Sequence, residues 1–127
     1  MFVYRCDFLR GHMADDDIPE PVLRFIHDQI DSVPHLETLL LLWENPGRGW
    51  TAKEVAARLY VSADSARNVL ADLARRGFLT TSAGEAQFRY DPAWDTQGLM
   101  SAVADSYRRR LVRIANLIHS KASVAVR

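Results

Sequence analysis

Residues 50–79 constrain this chain more than any other stretch, because they contain two helix starts and one helix stop in close succession. Trp50-Thr51-Ala52-Lys53-Glu54-Val55 is a complete helix start. Thr51 can accept the backbone N–H three residues on, Glu54 can reach back to the Thr51 N–H, and Trp50 and Val55 can close a hydrophobic staple over the cap. This first helix ends near Leu59. Tyr60-Val61 turns the chain, and Ser62 can cap a second helix running to about Arg76. Gly77 then supplies a left-handed stop. Within the second helix Ala66, Val69, Leu70 and Leu73 form an apolar stripe, while Asp64, Arg67, Asn68, Ala71, Asp72 and Arg75 lie opposite. A short helix, a three- or four-residue turn and a longer helix make the plan of a helix-turn-helix.

The flanks extend this plan. Residues 78–81 read as one strand, 82–85 as a turn and 86–90 as the return strand, closed by Asp91-Pro92. Trp50 is placed to add a minimal third strand. Ahead of the motif, residues 19–30 form a helix with Val22, Phe25, Ile26 and Ile30 on one face. Ser32 caps the next helix, with Pro34 in its first turn, and Asn45-Pro46-Gly47 ends it. Leu36, Leu39, Leu40, Leu41, Leu42 and Trp43 make that helix apolar on most sides, so it belongs at the centre of the core. After the wing, Thr96 can cap one long helix to about His119, with Met100, Val103, Tyr107, Leu111, Ile114 and Ile118 in a stripe. The expected organisation is an N-terminal extension (1–17), a central domain (18–95) and a C-terminal helix (96–127).

At 127 residues, 48% apolar and 25% charged, the chain has the length of one domain and the composition of a folded one. Its longest apolar run, residues 39–43, cannot span a bilayer. Residues 1–12 carry Arg5, Cys6 and Asp7 within their apolar patch, unlike a signal peptide, and they precede a second methionine, Met13. They are left out of the functional reading. A single cysteine forms neither an intramolecular disulfide nor a thiolate metal cage, so a cytoplasmic location is expected. Asp15-Asp16-Asp17 reads as a solvated cap, since consecutive aspartates do not converge on one ion. The four histidines fall on separate elements, and the phosphate-loop, nucleophile-elbow and zinc-protease motifs are missing from the sequence. No catalysis, cofactor or metal is therefore expected. Net charge is zero but polarised: residues 1–50 hold four basic and nine acidic side chains, and residues 96–127 hold six and one. The basic density lies on the C-terminal helix.

Glu54-Val55-Ala56-Ala57-Arg58-Leu59-Tyr60-Val61-Ser62, followed by Ala66, Val69-Leu70, Leu73 and Gly77-Phe78-Leu79, resembles the bacterial winged-helix transcriptional regulators of the broad MarR-like groups. The resemblance covers about thirty contiguous residues. It implies a mainly α fold with a small antiparallel β-wing, a winged helix-turn-helix flanked by N-terminal helices and a long C-terminal helix. It also implies double-stranded DNA as partner and homodimerisation through the C-terminal helix. Carried onto this chain, Ser62, Ala63, Asp64, Ser65, Arg67 and Asn68 are the candidate groove readers. Arg67 would fork onto guanine, and Asn68 would bond adenine or a phosphate. Arg75, Arg76 and Lys53 would touch the DNA backbone, and Arg89 would support the wing.

Departures from the pattern are specific. Asp64 sits where phosphate would approach, Ala63 stands where a basic residue is common, the wing tip carries Glu85, and Tyr60 replaces a frequent turn glycine. A winged-helix protein–protein interaction module is the alternative, with Arg67, Asn68 and Arg75 merely solvated. Arg108, Arg109, Arg110 and Arg113 form either a solubilising face paired to the acidic N-terminal half, or a contact for phosphate or an acidic partner.

Overall fold

The computed structural model describes residues 18–82, 84 and 86–126, with side chains placed through Lys121. The N-terminal extension, including Cys6 and Asp15–Asp17, and the wing-tip Glu85 lie outside the described residues. In chain order the elements are α1 (Glu20–Gln29), α2 (Val33–Glu44), α3 (Ala52–Leu59), α4 (Ala63–Arg75), β1 (Leu79–Ser82), β2 (Gln87–Tyr90), a single 3-10 turn (Pro92–Trp94), α5 (Leu99–Arg109) and α6 (Leu111–Val126). The fold is mainly helical with one small antiparallel sheet. No helix among the described residues is long and apolar enough to cross a membrane.

The caps expected at Thr51, Ser32 and Ser62 form. Thr51 Oγ1 accepts the Glu54 N–H at 3.2 Å, and Glu54 Oε1 accepts the Thr51 N–H at 3.0 Å. The Ser32 and Ser62 hydroxyl oxygens accept backbone N–H groups of His35 and Ser65 in the same way. Gly77, at φ +90°, ends α4 with the Gly77 N–H bonded to the Ala74 carbonyl and the Phe78 N–H to the Leu73 carbonyl, both at 3.0 Å. That pair of bonds is the Schellman stop, which needs a residue without Cβ at this position.

β1 and β2 pair antiparallel, with Leu79 opposite Tyr90 and Thr81 opposite Phe88. Leu79, Phe88 and Tyr90 are buried in the core, whereas Thr80, Thr81 and Ser82 are all exposed, including Thr81, which shares the face of Leu79. Trp50 adds the third strand as a single bridge, exchanging two 2.8 Å backbone bonds with Phe88. Leu36, Leu39 and Leu42 are fully buried on α2, which touches α3, α4, β2, α5 and α6 and so forms the centre of the core. Phe25, Phe78, Tyr90 and Trp94 form an aromatic cluster, with ring centroids 4.6–6.4 Å apart, joining α1 to the base of the β1–β2 hairpin.

Tyr60 takes the left-handed conformation (φ 58°, ψ 44°) that its turn requires, and its side chain is 94% exposed. A tyrosine there carries the Cβ penalty of that region and gains no burial within the chain. Tyr60→Gly is expected to stabilise the fold by about 0.5–1 kcal/mol, the steric relief being partly offset by glycine's larger unfolded-state entropy. Thermal unfolding monitored by circular dichroism measures it, and an unchanged or lower Tm would contradict the strain.

The single C-terminal helix is the main correction. It starts at Leu99 with Gly98, not Thr96, as the N-cap residue, and the two carboxylate oxygens of Asp95 accept the Leu99 and Met100 N–H groups at 2.7 and 2.8 Å. The helix then breaks at Arg110 (φ −129°, ψ 45°), without proline or glycine, into α5 and α6. The break has a packing reason. α5 lies along α1 and α2, and the bend returns α6 to α1, so that Ile114 and Ile118 become fully buried. Each buried isoleucine contributes about 2–3 kcal/mol, more than the locally interrupted helix loses. Lys121 closes the fold-back by donating to the Ile26, His27 and Ile30 carbonyls at the C-terminal end of α1. The sequence stripe is divided accordingly: Met100, Val103, Ile114 and Ile118 are buried within the chain, whereas Leu111 is half exposed.

Candidate nucleic-acid interface

The inner face of α4 is fixed by Ala66, Val69, Leu70 and Leu73, all buried, in contact with α2 and α3. Its outer face holds the six candidate readers. Ser62, Ala63, Asp64, Ser65, Arg67 and Asn68 are all exposed and occupy the N-cap and the first two turns. Asp64 and Arg67 are one turn apart and form an ion pair at 2.7 Å, with 87% and 61% of their side chains exposed. An exposed pair of this kind holds at most about 1 kcal/mol, so the guanidinium can be drawn to a stronger acceptor. Asn68 makes no side-chain hydrogen bond among the described residues.

The other basic candidates, Lys53 excepted, are engaged within the chain. Arg75 is exposed at the far end of α4 and pairs with Asp72. Arg76, expected on the DNA backbone, donates instead to the Gln29 carbonyl and to Asp31, the latter at 2.7 Å, and is only 26% exposed. Arg89 reaches from β2 to the Gly47 carbonyl and ties the wing to the turn after α2. Lys53 is exposed at the start of α3. Arg48 and Arg58 stand over the Trp50 ring at 3.6 and 5.5 Å from its centroid, a cation–π arrangement that leaves Trp50 fully covered. Arg108 and Arg109 pair with Asp105 one helical turn away, not with the acidic N-terminal half. The exposed hydroxyls of Thr80, Thr81 and Ser82 on β1 were not singled out from the sequence. The run of three consecutive small hydroxyl residues after Leu79 carries the signal for them.

Asp72 was expected on the solvated face and is not free there. Its carboxylate accepts from His35 Nε2 at 3.1 Å, while His35 Nδ1 lies 2.6 Å from Ser32 Oγ. His35 occupies the first turn of α2, as expected, but is buried. These contacts clasp the C-terminal half of α4 to the α1–α2 junction, and they fix the direction in which its N-terminal end projects. Asp31, His35 and Asp72 bring their ligand atoms within 4.8 Å of one another, the only such trio among the described residues. Arg76 and Arg75 already neutralise the two carboxylates, which leaves the trio a polar clasp and not an open cation site.

The hydrogen bond from His35, assisted by Arg75, holds the Asp72 carboxyl below its usual 3.8. A folded-state value below the unfolded one contributes stability that is present above about pH 3.8 and lost as pH falls through the folded value. Urea unfolding at about pH 5 and about pH 2.5 is expected to show a smaller acid loss in Asp72→Asn than in the wild type. Equal losses would remove Asp72 from the acid response.

Comparison of the chain with protein-family models, curated proteins and solved structures finds no match. The residues and their geometry therefore carry the functional argument.

Proposed function

We propose that this chain is a DNA-binding transcriptional regulator that lays the first two turns of α4 into the major groove. One observation carries the reading: six mostly polar side chains are exposed together on α4, whose opposite face and C-terminal half are locked to the core. A rigid helix with a free polar N-terminal end can present Arg67 to guanine and Asn68 to adenine, while Ser62 and Ser65 bond flanking phosphates. The hydroxyls of Thr80–Ser82 suit the same backbone role on the wing. Asp64 has a distinct effect. It repels phosphate and competes for Arg67, so it lowers non-specific affinity more than affinity for a matched site.

Selection of bound duplexes from random DNA at low salt tests this reading, followed by fluorescence anisotropy across a salt series. A recurrent sequence is expected. Asp64→Ala should tighten binding to unrelated duplex by roughly tenfold and steepen the salt dependence by about one counterion. A pool without enrichment, together with no binding at about 50 mM salt, sinks the proposal.

A second reading is favoured by the outer face of α6, where Leu111, Val112 and Leu117 are 50%, 69% and 38% exposed beside Arg113. Such a basic apolar surface suits a protein partner. Homodimerisation, which the resemblance attaches to the C-terminal helix, would use this outer face, because Met100, Val103, Ile114 and Ile118 of the apolar stripe are buried within the chain.

A further inference from the structure

Two unlike surfaces adjoin on this molecule. The first is a groove of about 450 Å³ between α2, α3 and α5, floored by Leu40, Leu41 and Leu59 and walled by Tyr60 and Tyr107. Its rim carries Glu37, Glu44 and Arg58. Glu37 accepts the Tyr107 hydroxyl at 2.9 Å and Arg58 leans on the Trp50 ring, so Glu44 is the rim charge without a partner among the described residues. The second surface is the outer ridge of α6, where Val112 and Leu117 are exposed on either side of Arg113 and Asn116. Arg113 makes no ion pair among the described residues.

We propose that the α6 ridge of one copy of this chain seats in the α2–α3 groove of a second copy, with Arg113 of each facing Glu44 of the other. The proposal rests on the homodimer reading and specifies its surface. Three observations support it. The charges are complementary, an unpaired acid on the groove and an unpaired base on the ridge. The apolar surfaces match as well: among the described residues Val112 and Leu117, with Leu111 and Tyr60, are the large apolar side chains left exposed, and the groove floor is leucine. Finally, Tyr107 lines the groove and Arg110, three residues on, borders the ridge, so the two surfaces are neighbours. Neighbouring complementary surfaces can engage reciprocally about one two-fold axis, which gives a closed dimer in place of an open filament. Tyr60 fits the same account, since its exposed ring in a strained turn would be covered only by the partner. Together the surfaces involve fewer residues than the twenty to thirty per side of a standard interface, so a weak, micromolar dimer is expected.

Sedimentation velocity of the whole chain from about 1 to 100 µM tests both levels. The expected result is a concentration-dependent dimer for the wild type and a monomer for Glu44→Arg and for Arg113→Glu separately. An equimolar mixture of these two variants should dimerise again, because each mutant groove then meets an oppositely charged ridge. Both residues are exposed, and matching thermal melts establish that each variant is folded. Tyr60→Gly, a more stable monomer, should dimerise several-fold more weakly. A wild type that stays monomeric to 100 µM overturns the homodimer reading and this surface with it. If the dimer persists unchanged in either single variant, or the mixture fails to restore it, ridge-in-groove pairing is wrong and only the homodimer reading stands.

Discussion

Trp50→Ala is expected to destabilise the protein by about 3–5 kcal/mol, enough to leave a domain of this size largely unfolded near body temperature. Trp50 is fully buried, although it sits one residue before a helix cap at the molecular edge. Its backbone forms the third-strand bridge with Phe88, its ring fills the space between α3 and the wing, and Arg48 and Arg58 close over it. Alanine would open a cavity at the point where the α3–α4 pair and the β1–β2 hairpin meet. Trp50→Phe makes the comparison informative. The indole N–H is buried without a hydrogen-bond partner, so phenylalanine forfeits ring area but no polar contact, and should cost about 1–2 kcal/mol. Urea unfolding of both variants checks this. Equal losses would mean that the backbone bridge, not the ring, holds the wing.

The second large effect follows from the proposed placement of α4 in the major groove. Arg67→Ala combined with Asn68→Ala is expected to weaken binding to a selected duplex by two orders of magnitude or more, since each bidentate base contact carries about 1–3 kcal/mol. Stability should change little, because both side chains are exposed and only the weak Asp64 pair is lost. Arg76→Ala provides the opposite pattern. It breaks the contacts to Gln29 and Asp31, lowers stability and leaves the affinity of the folded fraction unaltered. Anisotropy with the selected duplex, run beside thermal melts, separates the two. Retention of both affinity and sequence preference in the double variant would remove α4 from the groove.

The contrast between Arg67 and Arg76 shows where the sequence suffices. Both are arginines on or just past α4, and helical periodicity says which is outward. It does not say that Gln29 and Asp31, some forty-five residues earlier, arrive beside Arg76. Nor does it say that Asp72 would be withdrawn from the polar face by His35, thirty-seven residues away. The grouping of Ser62–Asn68 was legible because those residues share two turns of one helix. The engagement of Arg76 and Arg89 was not, because it depends on how separate elements dock.

Residues 50–79 determined by themselves the two caps, the turn and the left-handed stop, all of them interactions closed within five residues, together with the apolar period of α4, whose burial depends on α2 and α3. Such local bonds form wherever the chain supplies the partners, whatever surrounds them. The tertiary structure alone decided the break at Arg110, the clasp around Asp72 and the burial of the C-terminal stripe within one chain. A helix with an unbroken apolar period has no local reason to stop. It stops here because the core is shorter than the helix, and bending buries Ile114 and Ile118 where continuing would leave them in water.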